Sequence, residues 1–240
     1  MGLSTSTSGS KSDLLVAVLC ALLVFSMAAR TPLDSDLFWH LKTGEDMLAL
    51  GRPVLSDMLT YTRMGAAWVN HSWLSQIILA MLFRVGDYLA LGAWMAVCAV
   101  VSMMLVYRRM CAPPLWRLAV VILAAAVTAP VWSARPQLFS LVLLAGLASL
   151  LDAWAAGRAR GWWLIPYFVL WSNLHGGYAL GLILIGAWGG GELLNHLMKH
   201  EETLPARRLL GLAGWALLAW LAVAINPNGA AMWQIPFQTV

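Results

Sequence analysis

Long apolar runs, broken by short polar stretches, recur along nearly the whole chain. A bilayer hydrocarbon core about 30 Å thick needs roughly 20 apolar residues in a helix. On that measure seven spans are predicted, at 13–30, 89–107, 115–133, 138–155, 162–175, 178–197 and 209–225. The fifth is short and carries Pro166, which predicts a break or a tilt there. Pro136, in SARPQ, marks the turn between the third and fourth. The first run, Leu14 to Ala29, is followed by Arg30 instead of a small-residue cleavage site. An uncleaved first membrane helix is the favoured reading, with a signal peptide as the alternative. The fold class is thus all-α and polytopic. A polar tail at 1–12, predicted disordered, precedes the transmembrane domain at 13–240.

The pattern changes in residues 31–88. LFWHLKTGEDMLAL, 37–50, places Leu37, Leu41, Met47 and Leu48 at roughly helical spacing, with His40, Glu45 and Asp46 among them. An amphipathic helix lying at the membrane surface has this character. Asp36 stands at its expected N-cap, and GRP, 51–53, ends it. SDMLTYT and AAWVN read as short extended pieces. SWLSQIILAMLFRVGD, 72–87, predicts a second juxtamembrane helix, with Ser72 as cap and Gly86 as stop.

Composition agrees with a membrane protein. Of 240 residues, 61% are hydrophobic and 11% charged, against about 25% charged in soluble domains. Fourteen Trp suit membrane interfaces, and twelve Met suit irregular apolar packing. The net charge of +4 is small and scattered, and points away from nucleic acid. Cys20, Cys98 and Cys111 lack metal-ligand spacing and read as small buried hydrophobes.

The basic residues set an orientation. With a cytoplasmic N-terminus, Lys11, Arg108, Arg109, Arg117, Arg158, Arg160, Lys199, Arg207 and Arg208 all fall at inner ends. The short outer connections hold Arg135 alone. Asp152 and Glu192, with nearby Arg158 and Lys199, then read as structural contacts of the inner end. GAWGGGE, 186–192, predicts close helix packing. His196 and His200 fall on the cytoplasmic side.

Candidate chemistry concentrates at the outer end. LDSDLFWHL, 33–41, holds Asp34, Asp36 and His40 in a chain poor in charge. His40 follows Asp36 by four residues, so both can share a helix face. Such a pair could contribute to a divalent metal site, where Mg²⁺ or Mn²⁺ would suit carboxylates better than zinc. A metal needs three or more converging ligands, and hydrogen-bonded interfacial histidines are the competing reading. His71 and His175 map to the same side. Arg135 could hold a phosphate or snorkel to headgroups; Lys42 and Arg84 are weaker candidates of that kind. WSNLHGGY, 171–178, interrupts the apolar pattern with Asn173, His175 and two glycines, and reads as a cavity wall or a tight turn.

Several stretches also carry a family resemblance. DSDLFWH stands where the GT-C glycosyltransferases carry a first-loop acidic motif. NHSWLSQIILAMLFRVGDYLALGAWMAVCAVVSMMLVYRRM resembles their second juxtamembrane helix and second span. VWSARPQLFSLVLLAGLASLLDAW resembles the junction of their third and fourth spans. More narrowly, DLFWHLKTGE, WVNHSWLSQ, WSNLHGGY and INPNG resemble a group of uncharacterised bacterial GT-C-like membrane proteins. The superfamily includes protein O-mannosyltransferases and aminoarabinose transferases. HSWLSQ lacks the family's usual prolines, and the resemblance covers only the N-terminal portion of the family pattern.

The resemblance implies residence in the bacterial inner membrane and transfer of a sugar from a polyprenyl-phosphate carrier at the outer face. Glycosyl transfer needs a base for the attacking hydroxyl. On this reading Asp36 is that base and Asp34 its partner, while His40, Arg135, His71, Asn173 and His175 bind substrate. Helix capping by Asp36 is the plain alternative. A second functional reading is a non-catalytic GT-C-like subunit that stabilises a membrane protein complex. A transporter fits less well, because few ionisable groups fall mid-span.

Overall fold

A computed structural model describes residues 11–32, 34–200 and 203–238. Among them the chain is all-helical, with no strand. The α-helices are α1 (Lys11–Ala28), α2 (Leu37–Leu50), α3 (Trp73–Arg109), α4 (Pro114–Thr128), α5 (Gln137–Ala155), α6 (Leu164–Leu174), α7 (Tyr178–Leu197), α8 (Ala206–Ala222) and the short α9 (Ile235–Gln238). Three 3₁₀ turns, Ala129–Val131, Gly161–Trp163 and Gly229–Gln234, extend or join them.

Four helices are long and apolar enough to cross a membrane: α1, α3, α4 with its 3₁₀ extension, and α5. Helices α6, α7 and α8 occupy the remaining predicted positions but fall short of that measure. Helix α6 has 11 residues and α8 has 17. Helix α7 has 20, but GGGELLNHL makes its second half too polar. Pro166 breaks nothing, contrary to expectation: it sits in the first turn of α6, where a missing N–H costs no helical bond.

Helix α3 contains the predicted boundary. Its backbone leaves helical geometry at Gly86 and Asp87, and Asp87 takes φ 53°, ψ −145°. The kink thus divides α3 into helical segments 73–85 and 88–109, near the boundary expected from Gly86. Helix α2 packs on the first part of α3, and Gly44 permits this. A Cβ there would lie 2.2 Å from the Gln76 carbonyl oxygen and 2.8 Å from the Ala80 methyl. Between the two helices, the predicted extended pieces make one antiparallel bridge, Ser56 to Ala67.

Two large apolar centres hold the bundle, and a smaller one, of Leu37, Leu41, Leu79, Leu91 and Ala134, joins α2 to α3. Cys20, Val24, Met95, Ala99, Val121 and Trp132 join α1, α3 and α4. Leu147, Leu151, Phe168, Trp171, Ile185 and Leu212 join α5 to α8. Packing of α3 against α5 links the centres.

Ion pairs and carbonyl caps mark two opposite polar ends. At the basic end, Arg109 binds Asp152 at 2.6 and 3.3 Å, and Arg117 binds Asp13 at 2.7 Å while lying over Tyr107. Arg208 donates to the carbonyls of Trp154 and Ala155 that end α5. The other end carries Asp34, Asp36, Arg135 and the histidines. Helix α5 spans the two ends, and its 19 residues measure roughly 28 Å, close to the hydrocarbon thickness.

Several expectations need correction. Asp152 pairs with Arg109 and Glu192 accepts the Leu204 N–H, so neither engages Arg158 or Lys199. The glycines of GAWGGGE do not mediate close packing: Gly186, Gly190 and Gly191 have open space around them, and Gly189 meets only Leu212, at 3.7 Å. Cys111 is exposed, unlike Cys20 and Cys98. The tail at 1–12 lies outside the described residues up to residue 10, and Lys11 and Ser12 are already helical.

Candidate functional site

The rim opposite the basic end is assembled by a capping arginine. Helix α1 ends at Ala28, and Arg30 turns across to α4. Its Nη2 donates to the Ala129 and Trp132 carbonyls at 2.7 and 2.8 Å. Both carbonyls lie at the C-terminal end of α4 and its 3₁₀ extension, and Ala129 O also accepts the Trp132 N–H at 3.1 Å. This contact brings segment 34–36 beside the α4–α5 turn, where Arg135 stands.

Arg135 then joins both carboxylates. Its Nε donates to Asp34 Oδ1 at 2.7 Å, and its Nη2 donates to the same oxygen. The same Nη2 lies 2.9 Å from Asp36 Oδ2. Asp34 Oδ1 also accepts the Asp36 backbone N–H at 2.9 Å. Burial raises the Asp34 pKa, but the Arg135 and Asp36 contacts outweigh it and hold the carboxyl below its usual range. Asp36 remains the freer group, with its side chain 45% exposed against 15% for Asp34.

Two capping expectations fail here. Asp36 starts α2 but makes no side-chain cap, because its carboxylate turns to Arg135. Ser72 likewise makes no side-chain cap to α3. Instead Ser75 Oγ bonds the Ser72 and Leu174 carbonyls, tying α3 to α6. Arg135 does not stand alone at the junction, since both carboxylates pair with it. Lys42 and Arg84 are also occupied, by Asp46 at 2.5 Å and Glu45 at 3.0 Å.

His40 is buried beneath this rim, with its ring against Trp39 at 3.6 Å between centroids. Asn70 Nδ2 donates to Gln76 Oε1 at 2.8 Å, which turns the Gln76 amide nitrogen toward His40 Nδ1 at 3.3 Å. That nitrogen only donates, so His40 Nδ1 accepts and its ring proton sits on Nε2. Burial pushes the His40 pKa down to about 3, aided by the charges of Arg135, His71 and His175 and opposed by Asp34. Those same influences place all five groups in one electrostatic neighbourhood. Burial also lowers the pKa of His71.

His71 and His175 lie with ring centroids 5.9 Å apart. His175 Nδ1 accepts the Gly177 N–H at 3.0 Å and lies 2.8 Å from Ser140 Oγ. Ser140 in turn accepts the Trp171 indole N–H at 2.8 Å. An acceptor Nδ1 again leaves the proton on Nε2. WSNLHGGY therefore resolves into the end of α6, an extended His175 and a glycine turn into α7.

Asn173 is a joint. Its Oδ1 accepts from Trp73 Nε1 and Asn226 Nδ2, and its Nδ2 donates to the Val169 and Ile225 carbonyls. All four of its hydrogen-bonding positions are thereby filled. It also lines an open apolar groove of about 590 Å³ with Trp73, Leu74, Ile165, Pro166, Val169, Leu170 and Ile225. The other six candidates do not line that groove.

Direct contacts thus join Asp34, Asp36 and Arg135 in one group and His71 with His175 in another, while His40 is held by Gln76 and Asn173 by Trp73 and Asn226. Among the described residues no three His, Cys, Asp or Glu side chains converge as a metal requires. The paired Asp36 and His40 face different partners, Arg135 and Gln76. Residue-by-residue reading passed over Asn70, Gln76, Ser140, Asn226 and Asn228. Asn228 donates to the Asn70 carbonyl at 3.1 Å and to Asn226 Oδ1 at 2.8 Å, and so ties INPNG to the outer segment. The signal was present: four of these five are amides in apolar surroundings, within WVNHSWLSQ and INPNG. No family model, curated protein or solved structure matches the chain.

Proposed function

We propose that this chain is a glycosyltransferase-like integral membrane protein whose outer rim handles a sugar on a polyprenyl-phosphate carrier. The observation that carries the reading is the meeting of Asp34 and Asp36 with Arg135, about a hundred residues apart in the chain, at the end of the bundle that also holds the buried His40, His71 and His175. Asp36, half open to solvent, accepts the proton of an attacking hydroxyl. Asp34 is a positioning residue, which holds Arg135 and the Asp36 backbone. The Nε2–H groups of His40 and His175 are neutral donors for sugar hydroxyls or phosphate oxygens. On this reading α6, α7 and α8 complete seven spans, the basic end is cytoplasmic, and the host membrane is the bacterial inner membrane. Membrane lipids surround the bundle. No step requires a bound metal.

The test is Asp36→Asn in a cell-based glycan assay. Loss of the glycan at normal protein level supports the reading, and preserved glycan overturns it.

One observation favours a second reading, a GT-C-like subunit that stabilises a membrane protein complex. The rim satisfies its polar groups internally: Arg135 is doubly paired and Asn173 fully bonded. Co-purification of one stable partner, unaffected by Asp36→Asn, distinguishes this case.

A further inference from the structure

A second groove lies at the basic end, between α5 and α6. Leu150, Ala159, Trp163, Pro166, Tyr167 and Leu170 wall it, and Arg158 stands at its mouth. Its volume is about 390 Å³. The residues from Trp163 to Leu170 carry it about 10 Å along the axis of α6. Tyr167 turns its hydroxyl inward, to the Leu143 carbonyl at 2.5 Å, and leaves its ring for the wall.

Three features define what the groove accepts. First, the position of Arg158 is built in. The Arg158 N–H bonds the Ala153 carbonyl at 2.8 Å, and the Gly157 N–H bonds the Trp154 carbonyl at 3.0 Å. With Gly157 at φ 74°, this is a Schellman cap, which sets where the next side chain leaves. Second, the guanidinium has no partner among the described residues, and no carboxylate lines the groove. The nearest inner acid in sequence, Asp152, is held by Arg109. Third, Trp162 and Trp163 stack at 4.3 Å beside the mouth and are 40% and 49% exposed. Exposed tryptophans of this kind mark headgroup depth.

We infer that this groove is a site for an anionic glycerophospholipid of the basic-side leaflet, its phosphate on Arg158 and one acyl chain along α5 and α6. Charge complementarity selects the occupant: an apolar slot facing lipid, with one unpaired cation at headgroup depth, fits an amphiphile with a negative head. The site requires a bilayer around the chain but not sugar transfer at the opposite end.

The test is native mass spectrometry of the full chain in detergent, with phosphatidylglycerol and phosphatidylcholine of identical acyl chains offered in turn. Wild type retains phosphatidylglycerol over phosphatidylcholine. Arg158→Ala lowers phosphatidylglycerol retention about fivefold, while Arg160→Ala, at an exposed arginine outside the groove, leaves it unchanged. Ala159→Leu, which narrows the mouth and keeps the cation, lowers retention of both lipids. Equal retention of the two lipids by wild type, or equal losses in Arg158→Ala and Arg160→Ala, overturns the site. Displacement of the lipid by millimolar inorganic phosphate, or a dimer that Arg158→Ala dissociates, assigns the groove another occupant and also overturns it.

Discussion

Arg135 and Asp34, 101 positions apart in the chain, share two hydrogen bonds at the rim opposite the basic end. The pair pins the start of α5 to the chain leaving α1, while Asp36 touches the same guanidinium from a more exposed position. The two aspartates therefore answer differently to mutation.

Asp34→Asn removes a charge-assisted contact in a half-buried setting, and is expected to lower unfolding stability by about 2 kcal/mol. Asp36→Asn, exposed and singly paired, should cost less than about 1 kcal/mol. Arg135→Ala combined with Asp34→Asn should cost little more than Arg135→Ala alone, because the arginine change already removes the Asp34 contact. Denaturant unfolding in detergent measures all four proteins. Strict additivity would show that the contact carries no energy.

The buried histidines make the rim sensitive to acid. His40 is held at about 3 in the folded chain, against about 6.5 when unfolded. The unfolded state therefore binds the proton first, and stability falls as pH drops from about 6.5 toward 3. The slope is up to roughly 1.4 kcal/mol per pH unit for each such group. His71, also lowered by burial, acts in the same direction. His40→Gln should flatten the slope between pH 6.5 and 4.5. An unchanged slope would exclude His40 as its source.

Gly44 sets the distance between α2 and α3. Gly44→Ala places a methyl 2.2 Å from the Gln76 carbonyl, so the helices must separate. The expected cost is about 2–3 kcal/mol, with weakened His40–Gln76 contact. Thermal unfolding reads the first effect. Faster hydrogen exchange in residues 40–50 and 73–80 reads the second.

Asp87 occupies φ 53°, ψ −145°, a conformation that side chains resist and glycine adopts freely. Asp87→Gly is therefore expected to stabilise the chain by about 1 kcal/mol, the relief of strain exceeding the added entropy of the unfolded state. Lower stability in this variant would mean that the aspartate makes a compensating contact.

Much of the helical pattern was legible. Apolar runs placed a helix near every expected position, Gly86 marked the break in α3, and Pro136 marked the start of α5. The errors share one cause. Local preference makes Asp36 and Ser72 caps, yet contacts beyond their own helices take precedence. Asp36 found Arg135, and the α3 start was tied to α6 through Ser75. The GAWGGGE glycines carry a packing pattern, but a Cβ on Gly186, Gly190 or Gly191 would meet no atom among the described residues, and on Gly189 only Leu212 of α8, at ordinary contact distance.

By itself the sequence determined that this chain is helical, lipid-compatible and polar at alternate turns. Those properties follow from one-dimensional facts: run length, apolar fraction and the placement of charge. Tertiary structure alone decided which polar groups meet. Asp34 finding Arg135, Gln76 orienting His40, and Asn173 binding four partners all depend on how helices far apart in the chain pack and end. Side chains of the right type can be recognised from their letters, but their convergence is a property of distance, and distance is created only by the fold.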